Sequence, residues 1–501
     1  MTGKLNQLLN KMSMYRFILV ILAALIVITL ILLATGALDY SPLAIAASLV
    51  AFIVSVTGTT YLISRLIGVT AHLESSYITA LILFFIFTPR ATVPGVAALF
   101  LVGMIAAASK YLLAYRGRHI FNPAAVAAFI ISFTGLTAAS WWVATPSLAI
   151  PTLLGAGLIL YKTRRLFIGL VFLSIAIPLT IIVTLSYGTS LVDAFPLLLS
   201  YPLLFFAGFM LSEPLTMAPQ KWQQGIEAVI VGVLFAVPFS IGGFSTSLVL
   251  ALLVGNAFAF AFRRQQAVRL TYASSSQLTP TTDEIVFTTP KNYKRSAGQY
   301  IEITLPHGSS DGRGIRRSFS VTSAPDDDEI RLGVKFYSPS SSFKKALRSL
   351  KKGDVLQATQ ISGEFTLPKD SSVPLLFIAG GIGITPFISH LLYLKSIGEK
   401  RDITLIYSAS SAEEIAYLSQ LETFDCKLVI IAKDAATLGV VSQTTAIENS
   451  RITEEIVKAH VDNLTERHVY ISGPPPLIDG IKKSLKNLKA KRIKTDYFIG
   501  Y

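Results

Sequence analysis

The feature that most constrains this chain is a change of character near residue 265. From residue 15 to residue 262 apolar runs follow one another almost without interruption. After about Leu270 short β-type runs alternate with charged turns. Ten apolar segments occur before the change: 15–36, 41–64, 76–88, 92–113, 123–138, 147–161, 166–187, 191–211, 225–241 and 244–262. Most reach the ~20 residues that a bilayer core requires of a helix. Segment 76–88 stops at Pro89 and reads as a half-length or broken helix inside a bundle. The stretch from Tyr15 to Gly36 is too long for the apolar core of a signal peptide and reads as a first span.

Charge supports this division. Residues 1–270 carry 15 Lys and Arg against 5 Asp and Glu, whereas residues 271–501 carry 29 against 25. Most of the net charge of +14 therefore lies in the apolar half, which points to membrane topology and away from nucleic acid. Lys4, Lys11, Arg16, Arg65, Lys110, Arg116, Arg118, Lys162, Arg164, Arg165, Lys221, Arg263 and Arg264 fall in loops on one side, and only Arg90 falls on the other. The positive-inside rule then predicts an integral protein of an inner or plasma membrane, with both termini and the soluble half cytoplasmic. The expected organisation is a cytoplasmic N-terminus over 1–14, a ten-helix membrane domain over 15–265, an antiparallel β-barrel over 266–370 and an α/β domain over 371–501.

Two chemistries are disfavoured. Cys426 is the single cysteine, so a Cys-ligated iron–sulfur cluster and a dithiol relay have no ligands, and no metal site is expected. A transmembrane haem pair needs histidines on facing spans, but His72 and His119 are the only two in this half and both fall in loops. The acids Glu74, Asp193, Glu213 and Glu227 are rare in the apolar half. They read either as helix-end caps or as groups that couple to ions.

Three motifs stand out in that half: Arg116-Gly-Arg-His-Ile-Phe-Asn-Pro-Ala-Ala125, Trp141-Trp-Val-Ala-Thr-Pro146 and Leu211-Ser-Glu-Pro-Leu-Thr-Met-Ala-Pro219. In this order they resemble the NqrB/RnfD family of membrane redox subunits over most of residues 40–265. The resemblance implies a membrane-domain flavin, FMN or another, placed beside Thr145 and bound there either covalently or not. Ser140-Trp-Trp-Val-Ala-Thr145 lacks the acidic residue that usually precedes the family's attachment threonine. The alternative is an interfacial loop anchored by Trp141 and Trp142. Arg118 and Asn122, in the basic loop, are candidates for a flavin phosphate or a quinone head, or for a topological anchor.

In the soluble half, the runs Glu284–Thr288, Tyr300–Leu305, Arg317–Val321, Ile330–Tyr337 and Val355–Ile361 predict the barrel strands. Leu375–Ala379, Thr404–Ser408, Lys427–Ala432 and His468–Ser472 read as buried parallel strands, with helices from Thr385, Ala412, Thr453 and Pro475 between them. Strand, then Gly380-Gly-Ile-Gly-Ile-Thr-Pro386, then helix is a phosphate-binding order. Gly380, Gly381 and Gly383 let backbone approach a pyrophosphate, and the following helix start offers unpaired N–H groups.

Residues 273–501 resemble the ferredoxin–NADP reductase superfamily from end to end, and imply FAD and a nicotinamide nucleotide. By that resemblance Arg317 meets the FAD pyrophosphate beside Ser318, Phe319 packs on the flavin or its ribityl chain, and Ser320 bonds the isoalloxazine. Val334, Lys335, Phe336, Ser341 and Ser342 match the second FAD strand and the next helix start. Gly363 and Phe365 match the closing Gly-x-Phe. Thr385 and Pro386 match the nicotinamide side. Ser472, Gly473 and Pro474 match the Cys-Gly-Pro loop, with serine in place of cysteine. Phe498 and Tyr501 match the terminal aromatic segment that covers the flavin. Ser320, Ser472 and Phe498 are the expected catalytic positions. After Ser408 the chain reads Ala-Ser-Ser-Ala-Glu-Glu414, with acids and no cation, which favours NADH and leaves NADPH possible.

Together these expectations describe an NAD(P)H-dependent flavin oxidoreductase. It would pass electrons to a membrane flavin, a quinone or another acceptor, in a bilayer, alone or with further redox subunits. A flavin-regulated transporter and a membrane-anchored reductase of another acceptor are the alternatives.

Overall fold

The computed structural model describes residues 12–67, 73–115, 118–241, 244–262, 268–289, 295–308, 311, 315–438, 444–448 and 451–498. The chain divides into two compact units, residues 11–264 and residues 265–501 with 1–10.

The first unit is helical. Its helices are α1 Met14–Ala34, α2 Pro42–Leu66, α3 Leu73–Ile86, α4 Val93–Leu112, α5 Pro123–Ser132, α6 Pro146–Lys162, α7 Leu166–Ser186, α8 Leu191–Leu197, α9 Leu203–Phe205, α10 Lys221–Ala236 and α11 Leu248–Phe262. Among the described residues, α1, α2, α4 and α7 are long and apolar enough to cross a membrane. A fifth candidate is the pair Leu191–Ser200 and Leu203–Leu211, bent by 49°. Segment 191–211 is thus broken where Tyr201-Pro202 interrupts it, and a π-helical turn over Phe206–Leu211 completes its second part. Helices α3, α5, α6 and α11 are apolar but have 10–17 residues. Against the ten-span expectation, four helices among the described residues, or five with the bent pair, are long and apolar enough to cross a membrane, and the other expected segments are shorter helices.

Helix α3 lies at the centre of this unit, buried from Thr79 to Ile86. A buried helix end needs partners for its last carbonyls. The loop after α5 supplies them. The Ser140 and Trp141 amides donate to Ile86 O, the Val143 amide donates to Phe85 O, and Trp142 Nε1 donates to Phe84 O at 2.5 Å. The tryptophan pair is therefore a buried cap, with Trp141 in the left-handed region at φ 53°.

The second unit has two layers. The first is a six-stranded antiparallel sheet of β1 Val268–Thr279, β2 Thr282–Thr288, β3 Tyr300–Thr304, β4 Arg316–Ser320, β5 Glu329–Lys335 and β6 Val355–Ser362, in the order β4-β3-β6-β1-β2-β5. A bridge between Val321 and Leu332 joins its two edges into a barrel. Alternation along the strands turns Leu270, Ile285, Phe287, Ile301, Ile303, Ile330 and Leu332 into one core. Helix α12, Ser342–Arg348, packs Phe343 and Leu347 on it, with Ser341 as N-cap.

The second layer is a parallel sheet of β7 Leu375–Gly380, β8 Ile403–Ser408, β9 Lys427–Ala432, β10 Thr444–Glu448, β11 His468–Gly473 and β12 Arg492–Tyr497, ordered β10-β9-β8-β7-β11-β12. Leu375 and Phe377 point into one apolar cluster, Leu376 and Ile378 into another, so the sheet is covered on both faces. Helices α13 Thr385–Ser396, α14 Glu454–His460 and α15 Pro475–Asn487 lie among these strands in sequence. The strand order reverses between β7 and β11. In open α/β sheets, ligands enter at the carboxyl ends of the strands flanking such a switch point.

Candidate functional site

The switch point falls on the glycine-rich loop and on Ser472-Gly473-Pro474. β7 ends at Gly380, a 3-10 turn spans Gly381–Ile384, and α13 starts at Thr385 with Pro386 in its first turn. Three glycines do different work. Gly381 has φ +54 and nothing within 4 Å of the position a Cβ would take, so its backbone is open to an approaching group. Gly383 packs against the Ser472 carbonyl, and Gly380 packs against Leu477 and Pro474. The Ser472 side chain is fully buried at the end of β11, and its hydroxyl has no hydrogen-bond partner among the described residues. A buried hydroxyl of this kind is costly unless a group arriving at the switch point satisfies it. Open backbone at Gly381, beside the start of α13, fits a phosphate of a dinucleotide.

The site residues of the barrel lie against its helix α12 and against β12. Arg317 is 8% exposed and stacks over the Phe343 ring at 5.2 Å, and Phe319 lies 6.0 Å from the same ring. Ser318 faces the opposite side and is exposed. Ser320 is buried, and its hydroxyl donates to Asp496 Oδ2 at 3.2 Å. Asp496 is the ladder partner of Ser472, and the next residue but one, Phe498, donates its amide to Gly473 O at 2.8 Å. The three expected catalytic positions, Ser320, Ser472 and Phe498, therefore converge through Asp496, a residue the sequence did not single out.

Other expected positions have visible structural tasks. Val334 and Phe336 are buried in the barrel core. Ser341 caps α12, and Ser342 Oγ accepts from the Asp311 amide at 2.9 Å and contacts His307 Nε2 at 2.9 Å. Gly363 has φ +129, which a side chain tolerates poorly. Phe365 packs on Phe387, His390 and Tyr470. Burial pushes the Tyr470 phenol up to about 12, and its hydroxyl donates to Thr366 O at 2.8 Å. Tyr501 lies outside the described residues.

The acids after β8 differ from expectation. Glu414 Oε2 accepts from Lys335 Nζ at 2.8 Å and from Thr281 Oγ1 at 2.6 Å. Burial raises the Glu414 carboxyl pKa, but those bonds outweigh it and hold it below the usual carboxylate range. Lys335 is thus engaged with Glu414, and Glu413 alone of the two acids is exposed.

In the helical unit the candidates separate into two places. Asn122 caps α5, its side chain accepting from the Ala124 and Ala125 amides at 3.1 Å, with Pro123 in the first turn. Its Nδ2 donates to Glu213 Oε2 at 2.9 Å, and its amide donates to Asn256 Oδ1 at 2.8 Å. His119 Nε2 meets Glu213 Oε1 at 3.1 Å. The Phe-Asn-Pro-Ala and Ser-Glu-Pro loops therefore meet at Asn122, His119 and Glu213. A cavity of about 50 Å³ is lined by Ser75, Asn122, Ser212 and Glu213. The Arg118 side chain lies outside the described residues.

Thr145 precedes α6 beside the Trp141–Val143 cap, and its hydroxyl is buried with no partner among the described residues. An apolar cavity of about 170 Å³ is lined by Val143, Ala144 and Thr152 among others, and Thr145 is not among its lining residues. The Asn122 cluster adjoins α3 at Ser75 and the Thr145 loop adjoins it at Ile86, roughly 16 Å apart along a helix axis. Asn122 and Thr145 therefore do not share one small pocket. Among the described residues, no group of three or more His, Cys, Asp or Glu could hold a metal ion.

Comparison with known proteins follows this geometry. The family model described as oxidoreductase NAD-binding domain matches residues 377–483. Oxidoreductase NAD-binding domain-containing protein 1 of Homo sapiens is 30% identical over 223 residues, which cover 39% of this chain and 68% of that protein. The reductase component of propane 2-monooxygenase of Mycolicibacterium goodii is 28% identical over 197 residues, 38% of this chain and 54% of that protein. The chain thus spans about half the length of that relative. The crystal structure of a ferredoxin NADP+ reductase from Neisseria gonorrhoeae with bound FAD and NADP is similar at a TM-score of 0.39 and 19% identity, covering 46% of this chain and 98% of that one.

Proposed function

Because this chain belongs to the oxidoreductase NAD-binding domain family through its C-terminal half, and is to that extent an NAD(P)H-dependent oxidoreductase, we propose that it takes electrons from NADH on an FAD held by residues 266–501. We propose further that it passes them to a flavin or a quinone in residues 15–265. The observation that carries the first step is the convergence of Ser320, Ser472 and Phe498 through Asp496 at the switch point.

Arg317 is the cation for the FAD pyrophosphate, since a planar guanidinium matches paired phosphate oxygens. Phe319 and Phe343 give it an apolar flank. Gly381 and the first turn of α13 receive the nucleotide phosphates. Bound FAD supplies acceptance of a hydride and release of single electrons. The chain's own contribution is orientation: Ser472 and Gly383 close the nicotinamide side, while the backbone bond from Phe498 to Gly473 holds the terminal segment over it.

The membrane step is supported by the long apolar helices and by where large apolar side chains face solvent. In residues 266–501 only Tyr337, Val355 and Ile397 do so among the described residues, whereas dozens do in residues 15–262, as lipid contact requires. The bilayer is an inner or plasma membrane, with the reductase half and both termini cytoplasmic. For the membrane step the candidate position for FMN or another flavin, bound covalently or not, is Thr145, and what supports it is a buried hydroxyl with no partner among the described residues.

A second reading makes the chain a membrane-bound reductase of a separate protein, by analogy with the relative named as the reductase component of a monooxygenase. Flavin per chain on detergent-purified protein separates the two readings. Two flavins, with the second lost on Thr145→Ala, support the membrane relay. One acid-released FAD, unchanged by Thr145→Ala, favours the reductase alone.

A further inference from the structure

We infer that Gly333 and Tyr417 form the stop that fixes how far the nicotinamide loop stands from the barrel, and that Tyr417 is a positioning residue for hydride transfer. The inference rests on the NADH-to-FAD reading above. Gly333 lies in β5, with Glu284 of β2 as its ladder partner. A Cβ at Gly333 would lie 2.7 Å from Thr385 Cγ2, 2.8 Å from Tyr417 Oη and 3.2 Å from Ile382 Cδ1. Two of those atoms belong to the glycine-rich loop and its helix start. The third belongs to the segment after β8. The missing side chain therefore leaves a slot in which the two layers approach closely. Through it the Tyr417 hydroxyl passes to donate to Glu284 Oε1 at 3.0 Å.

The residues lining the slot have little room to retreat. Thr385 is fully buried, and its hydroxyl donates to Ile382 O at 3.0 Å. Tyr417 is 7% exposed, and its backbone is left-handed at φ 63° and ψ 18°, a conformation that a residue with a β-carbon holds only when its surroundings impose it. Its carbonyl accepts from the Gln420 and Leu421 amides. Beside it, Glu414 joins Lys335 and Thr281 of the barrel. The seam thus holds the loop of residues 381–385 from the barrel side by one phenol and one vacant Cβ position.

Hydride transfer needs reacting atoms about 3–3.5 Å apart, and a misplacement of about 1 Å costs on the order of 100-fold in rate. A side chain at 333 adds no group to the nucleotide and removes none. It should leave binding largely intact and slow the chemical step.

The test is anaerobic stopped-flow reduction of the full-length flavoprotein by NADH, with FAD content checked for every variant. Gly333→Ala is expected to lower the limiting rate of flavin reduction by about 10- to 100-fold, with the apparent Kd for NADH changed less than about 3-fold. Combining it with Tyr417→Phe removes one of the two shortest contacts, so the double variant should reduce faster than Gly333→Ala alone. A fold defect unrelated to this contact would not be relieved by removing the Tyr417 hydroxyl. A wild-type rate for Gly333→Ala, or no rescue in the double variant, overturns the inference. If Gly333→Ala does not retain FAD, Tyr417→Phe decides. A limiting rate reduced by about 3-fold or more at unchanged Kd supports the stop, and a wild-type rate overturns it. Wild-type flavin that NADH fails to reduce would remove the underlying reading instead, and is read in the same experiment.

Discussion

Gly383 and Ser472 meet so closely that a Cβ on the glycine would fall inside van der Waals contact with the serine carbonyl oxygen. Gly383 lies in the 3-10 turn that follows β7 and Ser472 lies in β11, so their contact seats the glycine-rich turn against the strand across the switch point. Gly383→Ala must part them. The expected result is a KM for NADH raised at least about 10-fold with FAD content unchanged, measured by steady-state oxidation of NADH with an artificial acceptor.

Arg317 tests the other cofactor. Hydrogen bonds to a charged partner contribute about 1.5–3 kcal/mol each, or roughly 10- to 100-fold in affinity. Arg317→Ala should lose most of its FAD during purification and recover it only at high added FAD. Arg317→Lys should bind better than alanine and worse than wild type, because a point charge replaces a fork. Flavin released per chain measures both.

Glu414 is committed to Lys335 and Thr281, which leaves Glu413 as the exposed carboxylate beyond β8. NADH should therefore exceed NADPH in kcat/KM. Glu413→Lys should narrow the ratio by about 10-fold, equivalent to about 1.4 kcal/mol. Glu414→Gln should act differently, loosening the seam with Lys335 and slowing both nucleotides alike. Parallel assays with the two nucleotides distinguish these outcomes.

His390 is fully enclosed among Phe365, Phe377 and Tyr470, and burial takes its pKa down to about 3. In the unfolded chain the same ring titrates near 6.5. Between those values the unfolded state binds the extra proton, so stability falls as pH drops below about 6.5. From pH 7 to pH 5 the loss attributable to this ring is about 2 kcal/mol. Thermal melts over that range should decline more steeply for wild type than for His390→Gln. Equal slopes would mean that the ring does not stay neutral.

Much of the soluble half is legible in sequence because its signals are local. Alternation gives most of the barrel strands, buried runs give four of the parallel strands, and the glycine-rich turn gives the cleft. Strand β1 is missed because Ala273-Ser-Ser-Ser-Gln277, its partly or fully exposed stretch, has no apolar alternation. Strands β10 and β12 are missed because both are edges of the sheet, where polar or charged side chains replace the apolar run. Glu414 is read as a free acid because nothing near it in sequence announces Lys335. Gly333, Tyr417 and Asp496 act only through contacts between distant segments, and a single sequence has no local sign of these. In the helical half, the contact between Asn122 and Glu213 joins two loops that the sequence shows only as separate motifs, and helix lengths depend on packing around α3 and are not set by apolar composition alone.

The central claim is that one chain carries electrons from NADH to FAD and onward to a carrier in its own apolar half. Anaerobic titration of the purified full-length protein with NADH, followed near 450 nm, tests it most directly. The account predicts two stages of bleaching, the second absent in Thr145→Ala and both absent in Arg317→Ala stripped of FAD. Flavin absorbance that does not respond to NADH would contradict the account at its first step. A single stage, identical in wild type and Thr145→Ala, with no electrons reaching an added quinone analogue, would contradict the passage through the membrane half.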